Sequence, residues 1–406
     1  MRQTATVSDV IPLDLGVYIH IPFCERVCPY CDFAVVAARP VEAAVEDRYV
    51  EALLCELALR RDEFAGHSLA TIYFGGGTPA LLRPDSLGRL IQAVEAQFPL
   101  SLPQAESPKE VTLELNPSTV ERAHLPGFRQ VGINRLSVGV QSFSDTHLKT
   151  LGRAHRAEEA HATLQAARAA GFDNLSLDLI FGVPGQSLSH WQSDLESALA
   201  YGPEHISTYG LTIEEGTPYA RGVERAILCL PAEEETARMY EAAQQHLEQA
   251  GVPLYELSNF ARPGFESQHN QRYWTGRPVL GLGVGAFSNW APSEELPQGG
   301  RRANCRDLPG YLTAVEAARS PEATTLEVLT SSEARLEAIF LALRTRSGLD
   351  IRSFEARFGQ QPQALYADSI SKLLAEGLLE EAETSLLRLT PKGRLLSDTV
   401  FGAFVD

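Results

Sequence analysis

The sequence predicts an α/β protein, a partial (β/α)6 barrel followed by a small C-terminal helical domain with a winged-helix-like shape. Over the first 250 residues, six short apolar runs alternate with amphipathic stretches, which is typical of strand–helix units in a parallel sheet. Polar and glycine-rich residues follow these runs, as expected at the carboxyl ends of parallel strands. The predicted strands are residues 17–21, 71–74, 111–115, 135–138, 175–181 and 206–210.

The stretches between the strands have the periodicity of helices. Apolar residues recur every four positions from Val45 to Leu57 and therefore share one helix face. Similar patterns cover residues 86–98, 157–170, 189–200 and 233–250, and the last is ended by Gly251. Six such units can curve into an open barrel, smaller than the closed eight-unit form.

We predict three parts: a barrel core at 1–250, a barrel-closing strand segment with a connection at 251–330, and a C-terminal domain at 331–406. In the last part, Ser332 can cap a helix, further helices follow at 351–358 and 362–376, and a strand pair at 378–380 and 386–389 forms a wing. This shape is common in DNA-binding proteins, but its charges are mixed and slightly acidic. We therefore interpret it as a packing or partner-docking module.

The composition sets limits on function. Hydrophobic residues make up 44% of the chain and charged residues 21%, which is ordinary for a protein with a core. The formal net charge of −17 argues against a nucleic-acid partner, because phosphate binding needs a basic surface. We find no signal peptide and no transmembrane run. The cysteine pattern fits a reducing compartment, so we expect a cytoplasmic location.

The first predicted strand leads into three closely spaced cysteines. Cys24, Cys28 and Cys31 form a C-x3-C-x2-C array. Three thiolates can hold three irons of a [4Fe–4S] cluster and leave the fourth iron open to a substrate such as S-adenosylmethionine (SAM). A zinc site needs four ligands, and the nearest histidine, His20, lies within the strand. A disulfide framework would leave one thiol over. The cluster is the favoured interpretation.

Further polar residues follow the other strands. A Gly-Gly-Gly-Thr-Pro turn at 75–79 follows the second strand and lets the backbone approach a ligand. Each of the other polar residues, considered alone, is more simply explained by a structural role. Together they form a convergent set in one mouth, which predicts a ligand site. They are Glu114, Asn116, Gln141, Arg153 and Asp178.

The cysteine array, with the aromatic Tyr30 before its last member, resembles the radical SAM superfamily. The flanking Tyr-x-His-Ile-Pro-Phe-Cys at 18–24 is similar to the branch containing oxygen-independent coproporphyrinogen III oxidases and HemW-type haem chaperones. The resemblance implies a [4Fe–4S] cluster on Cys24, Cys28 and Cys31. It also implies SAM contacts from Tyr18, Tyr30, Gly76, Gly77, Thr78, Glu114, Gln141, Arg153 and Asp178.

A second segment, His-Asn-Gln-Arg-Tyr-Trp at 269–274, carries a different signal. An imidazole beside two aromatic rings and an arginine can ligate haem iron, stack on the macrocycle and meet a propionate. From chemistry alone, a polar cap at the open barrel edge is the simpler explanation. The segment resembles the H-N-x-x-Y-W motif of HemW-type proteins, which implies haem binding by His269, Tyr273 and Trp274.

Two functions from different classes follow. The resemblance favours a haem chaperone that delivers haem to apo-haemoproteins such as respiratory enzymes. The alternative is a coproporphyrinogen III oxidase, but that pattern has a further cysteine where this chain has Phe33, and a longer segment before the cluster. An unrelated radical methyltransferase or dehydrogenase is a weaker third hypothesis. Transient membrane association and a homodimer are compatible with these functional hypotheses.

Overall fold

The fold is described from a computed structural model, which covers residues 14–99, 109–382 and 385–405. Its strands, in chain order, are β1 Asp14–Ile21, β2 Phe23–Cys24, β3 Val36–Ala37, β4 Ser68–Gly76, β5 Glu110–Leu115, β6 Arg135–Gln141, β7 Leu175–Phe181, β8 His205–Gly210, β9 Leu254–Glu256, β10 Asn259–Ala261, β11 Val279–Leu282, β12 Phe287–Trp290, β13 Gly300–Ala303, β14 Glu327–Val328, β15 Leu349–Asp350, β16 Leu379–Ala382 and β17 Leu386–Leu389.

The α-helices are α1 Ala43–Leu59, α2 Pro84–Gln97, α3 Thr119–Gln130, α4 Asp145–Thr150, α5 Ala157–Ala169, α6 Leu188–Leu199, α7 Pro218–Glu224, α8 Glu233–Gln249, α9 Gln268–Trp274, α10 Leu308–Glu316, α11 Ser331–Arg344, α12 Ile351–Phe358, α13 Pro362–Leu365, α14 Ala367–Ala375, α15 Pro391–Leu395 and α16 Ser397–Gly402. In the described part of the chain, no helix is long and apolar enough to cross a membrane.

The large sheet confirms the predicted α/β barrel. Its order is β14-β13-β12-β11-β1-β4-β5-β6-β7-β8-β10-β9, and the six predicted strands are the contiguous parallel series from β1 to β8. β11 adds a seventh parallel strand beside β1, with Val17 opposite Leu280. Antiparallel strands continue both edges. Because the parallel strands stand side by side, their carboxyl ends form one mouth.

The barrel strands alternate between an apolar and a polar face over most of their length. Their outward-facing residues are apolar and pack beneath the helices in the main core; Val17, Ile72, Leu113, Leu136 and Leu177 represent them and are all buried. Their other face carries polar or small residues, including Thr112, Glu114, Arg135, Ser137, Ser176, Asp178, His205 and Ser207. Closed eight-unit barrels fill this interior with branched apolar side chains. This barrel instead has a polar interior.

Three local predictions differ from the structure. A helix at Thr119–Gln130 was not predicted, because Pro126 interrupts its apolar pattern. The glycine-rich run at 281–288 belongs to the segment predicted as barrel-closing strand. It is the end of β11 and the start of β12, joined by a turn in which Gly283 and Gly285 have positive φ. The connection predicted at the end of 251–330 contains β13, α10 and β14.

The C-terminal part has its own core. Ile339, Leu343 and Phe354 pack with residues of the three-stranded sheet β15-β17-β16. The helices and the β16–β17 wing confirm the winged-helix-like prediction, although the helix predicted at 362–376 is divided at Tyr366 into α13 and α14.

Ion pairs join this part to the barrel; those of Arg301 with Glu337 and of Arg346 with Glu248 are exposed, and that of Arg344 is the most buried. Arg344 donates to the fully buried Glu256 at 2.7 Å and lies over the ring of Trp274 at 4.4 Å.

Candidate functional site

The three cysteines lie on a loop that is held against the barrel mouth. β1 is followed by the short strand β2, which ends at Cys24 and pairs in parallel with β3. The Cys31 amide donates to the Cys28 carbonyl at 3.1 Å, which closes the turn between them. All three thiols are free and partly exposed, and all line one cavity of about 520 Å³. The structure therefore brings the predicted cluster ligands together at the carboxyl ends of the strands.

The chemistry of these thiols suits a metal cluster. Burial raises the pKa of Cys24 to about 11 and also raises the pKa of Cys31. The Cys24 and Cys31 thiols therefore stay protonated at neutral pH unless a cation such as iron displaces their protons. Among the described residues, no three His, Cys, Asp or Glu side chains are grouped to hold one metal ion. A cubane distributes its thiolates over separate irons and needs no such convergence.

Two hydrogen-bond donors support the cysteines from the barrel side. The Thr78 hydroxyl donates to Cys24 Sγ at 3.7 Å, and Arg153 Nη1 donates to Cys28 Sγ at 3.6 Å. Asn116 joins these donors, because its amide Nδ2 donates to the Thr78 hydroxyl at 2.7 Å and its Oδ1 accepts from Arg153. These three residues follow or end different strands and converge only in the folded mouth.

The glycine turn at the end of β4 lies too close to the loop for side chains. A Cβ on Gly76, whose φ is +107°, would lie 2.4 Å from the His20 ring, and one on Gly77 would lie 2.7 Å from the Phe23 carbonyl oxygen. The Gly77 amide donates to the Ile21 carbonyl at 2.8 Å. The absence of side chains therefore lets this turn sit directly beside the cysteine loop.

Two carboxylates lie deeper in the cavity. Glu114 accepts from the Tyr73 hydroxyl at 2.7 Å and from the Gly76 amide at 3.1 Å, and burial raises its pKa to about 7. Asp178 accepts from the Ser137 hydroxyl at 3.0 Å, and burial raises its pKa as well. Both can accept hydrogen bonds from ribose hydroxyls or an ammonium group.

Gln141 ends β6 in a conformation that is unusual for its residue type. Its φ is +65°, in the left-handed region that disfavours a side chain, and it lines the cavity. Such strain is typically retained where a side chain or backbone group must face a ligand. Gln141 is therefore a candidate ligand contact on backbone grounds as well as by its position.

Of the nine residues predicted to contact SAM, seven line the cavity: Tyr30, Gly76, Gly77, Glu114, Gln141, Arg153 and Asp178. Tyr18 and Thr78 do not. Tyr18 contacts His20 Nδ1 at 3.1 Å and stacks on Tyr73. Thr78 contacts Cys24 and lines a smaller neighbouring pocket.

The polar floor of the cavity was not among the predicted site residues. Arg135, His205 and Ser207 line it together with the cysteines. Their signal was present in the sequence: polar residues at every second position of β6 and β8, where buried parallel strands are normally apolar throughout.

The residues predicted to bind haem do not converge on one point. His269, on α9, is 1% exposed; its Nδ1 lies 2.8 Å from the Thr71 hydroxyl and its Nε2 lies 3.3 Å from the Tyr273 hydroxyl. Burial lowers the pKa of His269 to about 3, so the imidazole is neutral. Tyr273 and Trp274 instead line a second cavity.

This second cavity, which we name the aromatic cleft, lies between the barrel edge and the C-terminal part and has a volume of about 450 Å³. Its ring-bearing walls are Tyr273, Trp274, Phe287, Trp290, Phe354 and Phe358. Arg301 and Arg357 also line it. Arg301 is paired with Glu327 and Glu337, whereas no ion pair is shown for Arg357 among the described residues. The cleft can therefore accept a flat apolar molecule and offer the Arg357 cation to an acidic substituent.

Comparisons with known proteins agree with this architecture. The model of the radical SAM superfamily matches residues 18–198, and that of the HemN C-terminal domain matches residues 329–396. The heme chaperone HemW of Bacillus subtilis (strain 168) is 35% identical over 390 residues, 96% of this chain and 98% of that protein. The chain belongs to the HemW family of radical SAM proteins.

Other relatives extend the comparison. The heme chaperone HemW of Escherichia coli (strain K12) is 39% identical over 272 residues, 67% of this chain and 69% of that protein. The solved structure of coproporphyrinogen III oxidase (HemN) from Escherichia coli, a radical SAM enzyme, has a TM-score of 0.79 at 24% identity and covers 97% of this chain and 90% of that one. At this identity the structural likeness establishes the fold.

Proposed function

We propose that this protein is a haem chaperone that holds a [4Fe–4S] cluster and SAM in the barrel mouth and passes haem to apo-haemoproteins. The observation that carries the proposal is the similarity to a heme chaperone HemW over 96% of the chain. The aromatic cleft supports it, because the fold thereby offers a second, apolar cavity apart from the cysteines.

In the mouth, Cys24, Cys28 and Cys31 would hold the cluster, and Arg153 and Glu114 are placed to meet the charged groups of SAM. When bound, the cluster and SAM supply one-electron chemistry. The residues of the chain bind and orient: Arg153 can pair with the SAM carboxylate, and the carboxylates can accept from ammonium or hydroxyl groups. The close approach of the glycine turn leaves backbone groups free to contact the methionine end.

We place haem in the aromatic cleft, where Tyr273 and Trp274 can contact the macrocycle. Tyr273 also contacts His269 Nε2, so this tyrosine connects the buried imidazole with the cleft. A neutral imidazole is the form that ligates iron. For His269 to act as a ligand, its contact with the Tyr273 hydroxyl must be exchanged for the iron.

The test is haem binding and transfer by the anaerobically reconstituted protein. We expect a Soret band on addition of haem. We also expect transfer of the bound haem to an apo-haemoprotein, beyond what capture of spontaneously released haem by excess apo-haemoprotein explains. His269→Ala should shift the Soret band and leave the iron content unchanged. The matched control, His246→Ala, removes a half-buried histidine of α8 far from both cavities.

Two outcomes would contradict the proposal. An unshifted Soret band in His269→Ala would remove the ligand role. Conversion of coproporphyrinogen III to protoporphyrinogen in the presence of SAM and a reductant would identify the protein as an oxidase instead.

A further inference from the structure

One buried charge in the barrel has no role in the proposed function. Arg135 begins β6, is 1% exposed, and its Nε has no hydrogen-bond partner. Among the residues that the structure describes, its guanidinium makes no ion pair. Buried arginines are normally paired, because an isolated charge is costly to remove from water.

Arg60 shows what a structural buried arginine looks like in this chain. It is 2% exposed and donates to Glu56 at 2.8 Å and to Asn304 at 2.6 Å. Its guanidinium also lies 3.4 Å from Glu63. All of these partners hold Arg60 in the packed core between α1 and the β12–β13 edge. Arg135 is equally buried and lacks such partners, so packing alone does not account for it.

The acids nearest to Arg135 are engaged elsewhere. Glu114 and Asp178 are close enough for the Arg135 charge to lower their pKa values, against the larger effect of burial. Their hydrogen bonds go to Tyr73, the Gly76 amide and Ser137. The cation is thus balanced at a distance, and the residue lines open space while its buried Nε lacks a hydrogen-bond partner.

That open space is the cavity of the cysteines. Arg135 lines it, four residues before Gly139, whose carbonyl accepts from Arg153 at 3.1 Å. Four strand residues span about 13 Å. Opposite Arg135 in the sheet, the buried Thr112 hydroxyl also lacks a partner among the described residues. The unpartnered atoms of Arg135 and Thr112 therefore lie side by side well below the mouth, and of the two residues Arg135 lines the cavity.

We propose that the floor of this cavity binds the carboxylate of a small organic anion, with Arg135 as its counter-cation, beneath the SAM site. The planar guanidinium offers paired N–H donors that match a carboxylate. A single negative charge fits better than a phosphate dianion, because Glu114 and Asp178 face the same space. The carboxylate belongs either to a free acid or to a haem propionate that reaches into the barrel.

The test uses 3,3,3-trifluoropropionate as a fluorine NMR probe with the reconstituted, SAM-loaded full-length protein. We expect saturable one-site binding, with affinity reduced at least tenfold in Arg135→Gln. The neutral analogue 3,3,3-trifluoropropionamide should not compete. Arg129→Gln is the matched control, since Arg129 is an exposed arginine of α3 that packs over Phe172 outside the cavity. Equal binding by wild type and Arg135→Gln, or by the acid and the amide, would overturn the proposal.

Two further arms keep the result decisive. If Arg135→Gln does not fold, Arg135→Lys and the acid-against-amide comparison in the wild type still test the charge requirement. Preloading with haem distinguishes the sources: displacement of the probe assigns the carboxylate to a propionate, and unchanged probe binding assigns it to a free acid. Absence of probe binding in the wild type would refute the subsite and leave haem transfer untouched.

Discussion

The two cavities of the molecule are built in opposite ways. The barrel cavity is lined by residues at the ends and on the inner face of neighbouring parallel strands, and most of these residues carry polar groups. The aromatic cleft is formed by α9, β12 and the C-terminal helices α11 and α12, and ring side chains dominate its walls. The sheet fixes the first cavity, whereas the second exists only when the C-terminal part packs against the barrel.

This difference separates two kinds of recognition. A charged cofactor needs donors and acceptors at fixed positions, which adjacent strands provide. An apolar macrocycle needs shape and area, which a junction between two packed parts can provide and can also release by a small movement. The contact of Arg344 with Glu256 and Trp274 is the most buried of the ion pairs across that junction.

The largest expected effect is the loss of cluster iron from the barrel cavity, with the aromatic cleft left intact. Cys28→Ala should lower the iron content of the anaerobically reconstituted protein from about four irons per chain to less than one, because a cubane needs all three thiolates here. Colorimetric iron analysis and the absorbance of the cluster measure this. Cys229→Ser, which changes an exposed cysteine outside the triad, should keep its iron. Iron retained by Cys28→Ala would show that the array is not the ligand set.

The predictability of each cavity follows from its construction. The cysteine loop, the glycine turn and Arg153 stand at strand ends, so the order of elements along the sequence already places them in one mouth. Arg135 was missed because a single arginine at the start of an apolar run reads as a strand boundary. Its meaning depends on the polar residues opposite it in neighbouring strands, such as Thr112.

The cleft was beyond sequence reasoning for a different reason. Its walls combine Trp274 with Phe287 and Phe354, which belong to three elements far apart in the chain. No local periodicity encodes their contact. Likewise, the burial of His269 against Thr71 depends on how α9 packs on the barrel, which spacing within the His-to-Trp segment does not reveal.

A second, smaller effect concerns pH and the carboxylates of the barrel. The folded-state pKa of Glu114, about 7, lies above its ordinary value of 4.5, so the native state binds a proton that the unfolded state has lost. Stability must therefore fall as the pH rises from about 4.5 through 7, by about 3 kcal/mol in total. Tyr73, Asp178 and Arg135 face this carboxyl and set its environment.

Urea unfolding of the cluster-free protein at pH 5.5 and pH 8 checks this. Glu114→Gln should reduce the loss of stability between the two pH values. Glu121 provides a comparison, because burial raises its pKa to about 7 as well, and its replacement should remove a similar part. An unchanged pH dependence in Glu114→Gln would mean that the buried carboxyl is ionised at little cost.

The smallest expected effect compares the two cavities directly, because each is lined by one exposed phenylalanine that can be truncated. Phe287, in the aromatic cleft, is 59% exposed, and Phe33, in the barrel cavity, is 68% exposed. Truncation of either should change the free energy of unfolding by less than about 0.5 kcal/mol.

Phe287→Ala should weaken haem binding about tenfold through the loss of one aromatic contact. Phe33→Ala should leave haem affinity unchanged. Soret titrations of both variants measure this, and equal affinities would place the haem outside the cleft.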